Sequence, residues 1–120
     1  MGSSVGSREE IFRKALKNKD YLCLVAEIGR EVVGFIDLWA FPDVAHGAHL
    51  AQIQNFVVTK KMRGKGIGTK LLEEIIKIFR DKKYHELHVW AEKENEEAIR
   101  LYKKLGINNE CILLEMEEWE

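Results

Sequence analysis

"NFVVTKKMRGKGIGTKLLEEIIKIFRDKK", residues 55–83, decides how the rest of the chain is read. Its opening residues Phe56, Val57 and Val58 form a strand-like run, and three glycines then stand at alternate positions, Gly64, Gly66 and Gly68. Beyond them Leu71, Leu72, Ile75, Ile76 and Phe79 recur at helical spacing, with Lys70, Glu73, Glu74 and Lys77 on the opposite face. A strand that runs through a glycine turn into a helix is a frame for an anion. The first N–H groups of a helix have no internal partners, and together they carry about half a positive charge.

Three phosphate-binding patterns compete for this stretch. A P-loop requires Gly-Lys-Ser/Thr, whereas Gly68 is followed by Thr69 and then Lys70. A dinucleotide fingerprint requires G-x-G-x-x-G, but the sixth position is Thr69 counted from Gly64 and Leu71 counted from Gly66. What remains is R-x-x-G-x-G, running from Arg63 to Gly68. Its successive N–H groups can converge on a pyrophosphate, and Gly66 and Gly68 place no Cβ in the way. Lys60, Lys61, Arg63, Lys65 and Lys70 make this the most basic region of the chain. The alternative is a solvated turn that needs glycine only for its shape.

Outward from the turn, "LAQIQNFVV" reads as the strand that enters it and "ELHVWAE" as the strand after the helix. Asn95 can cap a further helix, with Glu96 and Glu97 in its first turn, Lys103 and Lys104 in its last and Gly106 just beyond. "ECILLEMEE" alternates in part and reads as a closing strand. Toward the N-terminus, "YLCLVAEI" and "VVGFIDLWAF" form a hairpin around Gly29, with Pro42 closing the second strand and "PDVAHGAH" as a loop. Ser7 and Glu10 have capping-box spacing before a short amphipathic helix carrying Ile11, Phe12, Ala15 and Leu16 on one face. Residues 1–7, "MGSSVGS", read as a disordered head or a cloning remnant, and residues 8–120 as a single domain. The order α-β-β-β-α-β-α-β predicts an α/β fold whose mixed sheet has an antiparallel N-terminal part and one right-handed parallel crossover.

At 120 residues, 46% hydrophobic and 32% charged, the chain has the composition of an ordinary globular domain with one core. No apolar run is long enough to span a membrane and no secretion signal opens the sequence, which points to the cytoplasm. A net charge of −1 argues against a general nucleic-acid binder held by phosphate contacts. Cys23 and Cys111 each lie in an apolar run and read as buried reduced thiols. His46, His49, His85 and His88 show no metal-ligand spacing, so no metal is expected.

The segments "IQNFVVTKKMRGKGIGTKLLEEI" and "LHVWAEKENEEAIRLYKKLGI" resemble the acetyl-CoA-binding core of the GNAT superfamily of N-acetyltransferases. The first resembles that family's pyrophosphate motif and the strand before it, and the second its N-x-x-A-x-x-x-Y helix, here Asn95, Ala98 and Tyr102. The resemblance covers residues 51–107 and is only topological outside them. It implies acetyl-CoA as donor, its pyrophosphate on Arg63, Gly64, Lys65, Gly66, Ile67, Gly68 and Thr69. The pantetheine arm would lie in a gap between parallel strands, bonded to the main chain of Phe56, Val57 and Val58, where an N–H can also face the thioester oxygen. Asn95 is explained by its capping role and can touch the cofactor as well. Tyr102 is either a core tyrosine, as its spacing with Ala98, Leu101 and Leu105 allows, or the general acid that protonates the departing CoA thiolate.

The implied acceptor is a primary amine on a small molecule, peptide or protein. Many relatives carry a glutamate base where this chain has Gln54, so a base is not legible; Asp37, Asp43, His46 and His49 are the nearby titratable groups, read as solvated. That departure keeps a second class open, a non-catalytic module that binds CoA or acyl-CoA as a sensor. Trp39 and Phe41 share a strand face and make either an aromatic wall for the acceptor or part of the core. The family usually opens with a further strand and helix, so "YLCLVAEI" is expected to be a sheet edge, apolar and charge-poor, and the chain a homodimer with this edge or the strand "ECILLEMEE" in its interface.

Overall fold

The computed structural model describes residues 7–118. Helix α1 (Arg8–Leu16) is followed by strands β1 (Tyr21–Ile28), β2 (Glu31–Asp43) and β3 (Ala48–Val58). A 3₁₀ turn at Lys60–Met62 leads to helix α2 (Ile67–Asp81), strand β4 (Glu86–Val89) and helix α3 (Glu96–Lys104). The sheet order is β1-β2-β3-β4, antiparallel through β3 and parallel between β3 and β4. This is the predicted mixed α/β sheet, in the predicted order as far as α3.

Each helix starts where its chemistry asks it to. Ser7 and Glu10 form the expected capping box on α1, the Glu10 N–H donating to Ser7 Oγ at 3.1 Å. Asn95 caps α3 through its side-chain oxygen, which accepts from the Ala98 N–H at 3.3 Å. Helix α2 lays Leu71, Leu72, Ile75 and Ile76 on Ile36, Leu38, Ala51 and Ile53 of the sheet, and Tyr102 of α3 closes the same cluster. Helix α1, in contrast, buries none of its residues, so its apolar stripe of Ile11, Phe12 and Leu16 stays exposed.

Four expectations need correction. First, "ECILLEMEE" forms no strand, and its Ile112, Leu114 and Met116 are 88%, 88% and 87% exposed. A strand needs an edge to pair with, and β4 offers only four residues, so partial alternation has nothing to act on. Second, β2 continues through Pro42, and the loop shrinks to residues 44–47, closed by the Gly47 N–H donating to Val44 O. Strand β1 reaches only Trp39 on that side, so the N–H that Pro42 lacks would have had no partner. Third, β4 ends at Val89, short of "WAE". Fourth, Cys111 is exposed and Cys23 half-buried; both are free thiols. Among the described residues no helix is long and apolar enough to cross a membrane.

Candidate functional site

Strand β3 parts from its neighbour. It pairs with β4 only through Leu50, Ala51, Gln52 and Ile53, and residues 54–58 run on with β2 alone. At the parting point the register slips: Ile36 faces Phe56 but Leu38 faces Ile53, so Gln54 and Asn55 together oppose Asp37. The Asn55 N–H donates to Asp37 Oδ1 at 2.7 Å in place of a ladder bond, and Asn55 Nδ2 donates to Oδ2 at 3.0 Å. A side-chain carboxylate therefore holds the bulge.

From the bulge onward the main chain alternates strictly. Asn55 and Thr59 donate toward β2, to Asp37 and to Val33 O, so Val57 between them faces β2 as well. Phe56 and Val58 then present their N–H and C=O groups to the open side. Of the three strand residues expected to meet a pantetheine, Phe56 turns both its main-chain groups to the open side and Val58 its N–H, the Val58 carbonyl being taken up by Arg63. Arg63 Nε donates to Val58 O at 3.2 Å, tying the turn to the strand end.

The turn is built on left-handed glycines. Gly64 and Gly66 hold φ of 78° and 83°, a region that other residues rarely visit, and a Cβ on either would point into open space. Gly66 is the N-cap of α2 and no side chain caps it, so the N–H groups of Ile67, Gly68 and Thr69 open the helix uncapped. Gly68 faces the strand instead: a Cβ there would make ordinary contacts, 3.5 Å from Phe56 and 3.6 Å from Val58. Among the basic side chains Lys61 pairs with Glu31 at 3.6 Å, while among the described residues Lys60, Lys65 and Lys70 have no carboxylate partner.

Tyr102 reaches this region from α3. It is 9% exposed, and its ring lies 6.3 Å from that of Phe56, the residue beside the gap. Burial pushes its phenol above the ordinary tyrosine value, so it stays protonated at neutral pH. Asn95 stands at the start of the same helix, occupied as its cap. Gln54, at the bulge, accepts from Gln52 Nε2 at 3.2 Å.

The remaining titratable candidates separate clearly. Asp43 and His46 pair with each other at the β2–β3 turn, the far end of β3 from the gap, and that contact holds the Asp43 carboxyl below its usual range. His49 is exposed near the same end. Asp37, read from sequence as solvated, is 3% exposed and abuts the parting point. It was missed because nothing local to "FIDLW" marks a buried carboxylate; its partners come from β1 and β3.

A family model described as Acetyltransferase (GNAT) family matches residues 3–107. A thialysine N-epsilon-acetyltransferase of Bos taurus is 32% identical over 107 residues, covering 82% of this chain and 61% of that protein. An N-alpha-acetyltransferase of Sulfurisphaera tokodaii is 31% identical over 112 residues, covering 85% and 65%. The chain thus spans less than two thirds of the length of these relatives. Among solved structures, one described as a transcriptional regulator from Bacillus halodurans superposes with a TM-score of 0.86 at 26% identity, over 92% of this chain and 74% of that one. An aminoglycoside acetyltransferase from a soil metagenomic sample shares the fold, with a TM-score of 0.83 at 21% identity over 96% and 76% of the two chains.

Proposed function

The chain belongs to the GNAT acetyltransferase family, and on that premise we propose that it transfers the acetyl group of acetyl-CoA to a primary amine by direct attack in a ternary complex. The observation that carries this reading is the pairing of an uncapped, doubly left-handed glycine turn with a strand that has parted from its neighbour. The turn receives the pyrophosphate on the first N–H groups of α2, with Lys60, Lys65 and Lys70 around it. The pantetheine arm then runs along β3 as an added strand, bonded to the N–H and C=O of Phe56 and the N–H of Val58. One of those N–H groups faces the thioester oxygen and stabilises the charge that builds on it as the amine attacks.

Tyr102 is the proton donor to the CoA thiolate. Its ring packs in the core cluster beside Phe56, and the burial that raises its pKa keeps the proton available. No covalent enzyme intermediate is required, and the half-buried Cys23 lies across β2 from β3, opposite Asp37. The relatives' names give a side-chain amine and an α-amine as acceptors, which supports a primary amine here. The exposed edge residues of β1, Val25 and Ile28, with the uncovered face of α1, support a homodimer.

Gln54 favours a second reading, a CoA-binding module without turnover, because a carboxamide cannot take a proton from an ammonium. Titration calorimetry with acetyl-CoA, CoA and ATP, followed by thiol release across a panel of primary amines, separates the two. Binding with turnover supports the enzyme. Binding of CoA species without turnover on any amine supports the sensor, and no CoA binding removes both.

A further inference from the structure

Asp37 is a buried carboxylate that meets only neutral donors. Asn55 gives it two hydrogen bonds, and Tyr21 OH donates a third to Oδ2 at 2.5 Å. Among the described residues no lysine, arginine or histidine pairs with it. Three donors on two oxygens suit the ionised form, and a buried charge held by neutral dipoles alone polarises those dipoles. One of them, the Asn55 N–H at 2.7 Å, belongs to the main chain.

What that bond does follows from the plane of the peptide. Among the described residues every peptide bond is trans, so the C=O of Gln54 points opposite to the N–H of Asn55, with which it shares a peptide unit. The N–H faces β2, and the Gln54 carbonyl therefore faces the other way, toward β4. Pairing with β4 ends one residue earlier, at Ile53, so this carbonyl stands at the mouth of the gap. Among the described residues no turn, cap or side-chain donor reaches it, and the Gln54 side chain is engaged with Gln52 Nε2. The next main-chain group that β3 turns to the same side is the Phe56 N–H. An acceptor and a donor thus stand side by side, and the acceptor has a negative charge one hydrogen bond behind it.

An attacking amine needs such a pair. Its lone pair forms the C–N bond as the thioester π pair moves onto oxygen, so the nitrogen turns positive while the oxygen turns negative. Resting on the acetyl-transfer reading above, we propose that Asp37 is a positioning residue for the attacking amine: through the Asn55 N–H it strengthens the Gln54 carbonyl as acceptor of an amine N–H, beside the Phe56 N–H that receives the thioester oxygen. When the C–S bond breaks, the sulfur takes the Tyr102 proton, the nitrogen gives its extra proton to water, and water restores Tyr102. Amide and CoA thiol are what remain. A carbonyl holds an N–H without removing its proton, so the amine enters neutral and no carboxylate is needed at position 54.

Propylamine, a small primary amine, is the probe. Asp37→Asn keeps an oxygen for the Asn55 N–H but loses the charge, so kcat/KM for propylamine is expected to fall about tenfold while acetyl-CoA affinity, read by calorimetry, stays the same. Nuclear magnetic resonance on the isotope-labelled chain, saturated with CoA, reads the Gln54 carbonyl carbon without turnover. Propylamine should move that signal downfield, whereas tetramethylammonium, which has a charge but no N–H, should leave it in place. Asp37→Asn should move the same signal upfield and weaken its response to propylamine. Tyr21→Phe removes a rival donor from Asp37, leaves the Asn55 bonds intact and should move it downfield instead, and this variant decides if Asp37→Asn does not fold. If Asp37 only pins the bulge, Asp37→Asn keeps the wild-type kcat/KM and the Gln54 signal ignores propylamine; either result overturns the proposal, as does an equal response to tetramethylammonium. A silent Gln54 beside a clear CoA response at residues 66–69 overturns the proposal alone, whereas an absent CoA response overturns the acetyl-transfer reading with it.

Discussion

Gly66 is the residue at which backbone shape and ligand space are most easily confused. Its φ of 83° means that Gly66→Val would weaken any anion site and also strain the main chain, by about 1–3 kcal/mol. Asparagine visits the left-handed region more readily, so Gly66→Asn separates the two effects. The expected outcome is a melting temperature close to wild type with CoA affinity at least tenfold lower, measured by thermal denaturation and calorimetry. Tyr102 permits an equally narrow test. Tyr102→Phe removes one oxygen from a buried ring, and turnover is expected to fall on the order of 10²-fold with acetyl-CoA affinity unchanged. Because burial raises the Tyr102 pKa, its neutral form is favoured in the folded chain below the ordinary value and is lost only as pH climbs through the raised one. The high-pH limb of the wild-type rate profile is therefore expected above pH ~10. A limb near neutrality would assign the proton to another group.

At the scale of elements, the alternation along β3 makes a prediction that side chains alone do not. Val58 turns its N–H to the gap and Val57 turns its own to β2, so proline has opposite consequences at neighbouring positions. Val58→Pro should leave the fold standing and weaken CoA binding about tenfold, the loss of one good hydrogen bond. Val57→Pro should destabilise the sheet itself, read as a lowered denaturation midpoint. The strands, the helices and two of the helix caps could be read from the sequence because each is encoded locally, as the Ser7–Glu10 box and Asn95 show. The glycine turn was legible for the same reason. The bulge was not, because it depends on Asp37, eighteen residues from Asn55. Nor was the fate of "ECILLEMEE" legible, since a strand pattern does not say whether an edge awaits it. The extra length of β2 depended on where β1 stops rather than on Pro42.

Taken as a whole, the molecule leaves several large apolar side chains exposed, Ile11, Phe12 and Leu16 of α1 and Val25 and Ile28 of the edge strand β1. Sedimentation at micromolar concentration is expected to show a dimer. Val25, 56% exposed, is the position to probe, whereas Leu24 packs against the core and its replacement would damage the fold instead. Val25→Lys should give a folded monomer; a wild-type monomer would show that this face needs no partner. The central claim lies elsewhere on the surface, where turn, parted strand and Tyr102 converge on one cosubstrate. Titration calorimetry of acetyl-CoA into the wild-type chain and into Gly66→Asn tests it most directly. Saturable binding at one site per chain, shared by CoA, weaker for ATP and at least tenfold reduced in the variant, is the expected result. No binding of acetyl-CoA, or the same affinity in both chains, would contradict it.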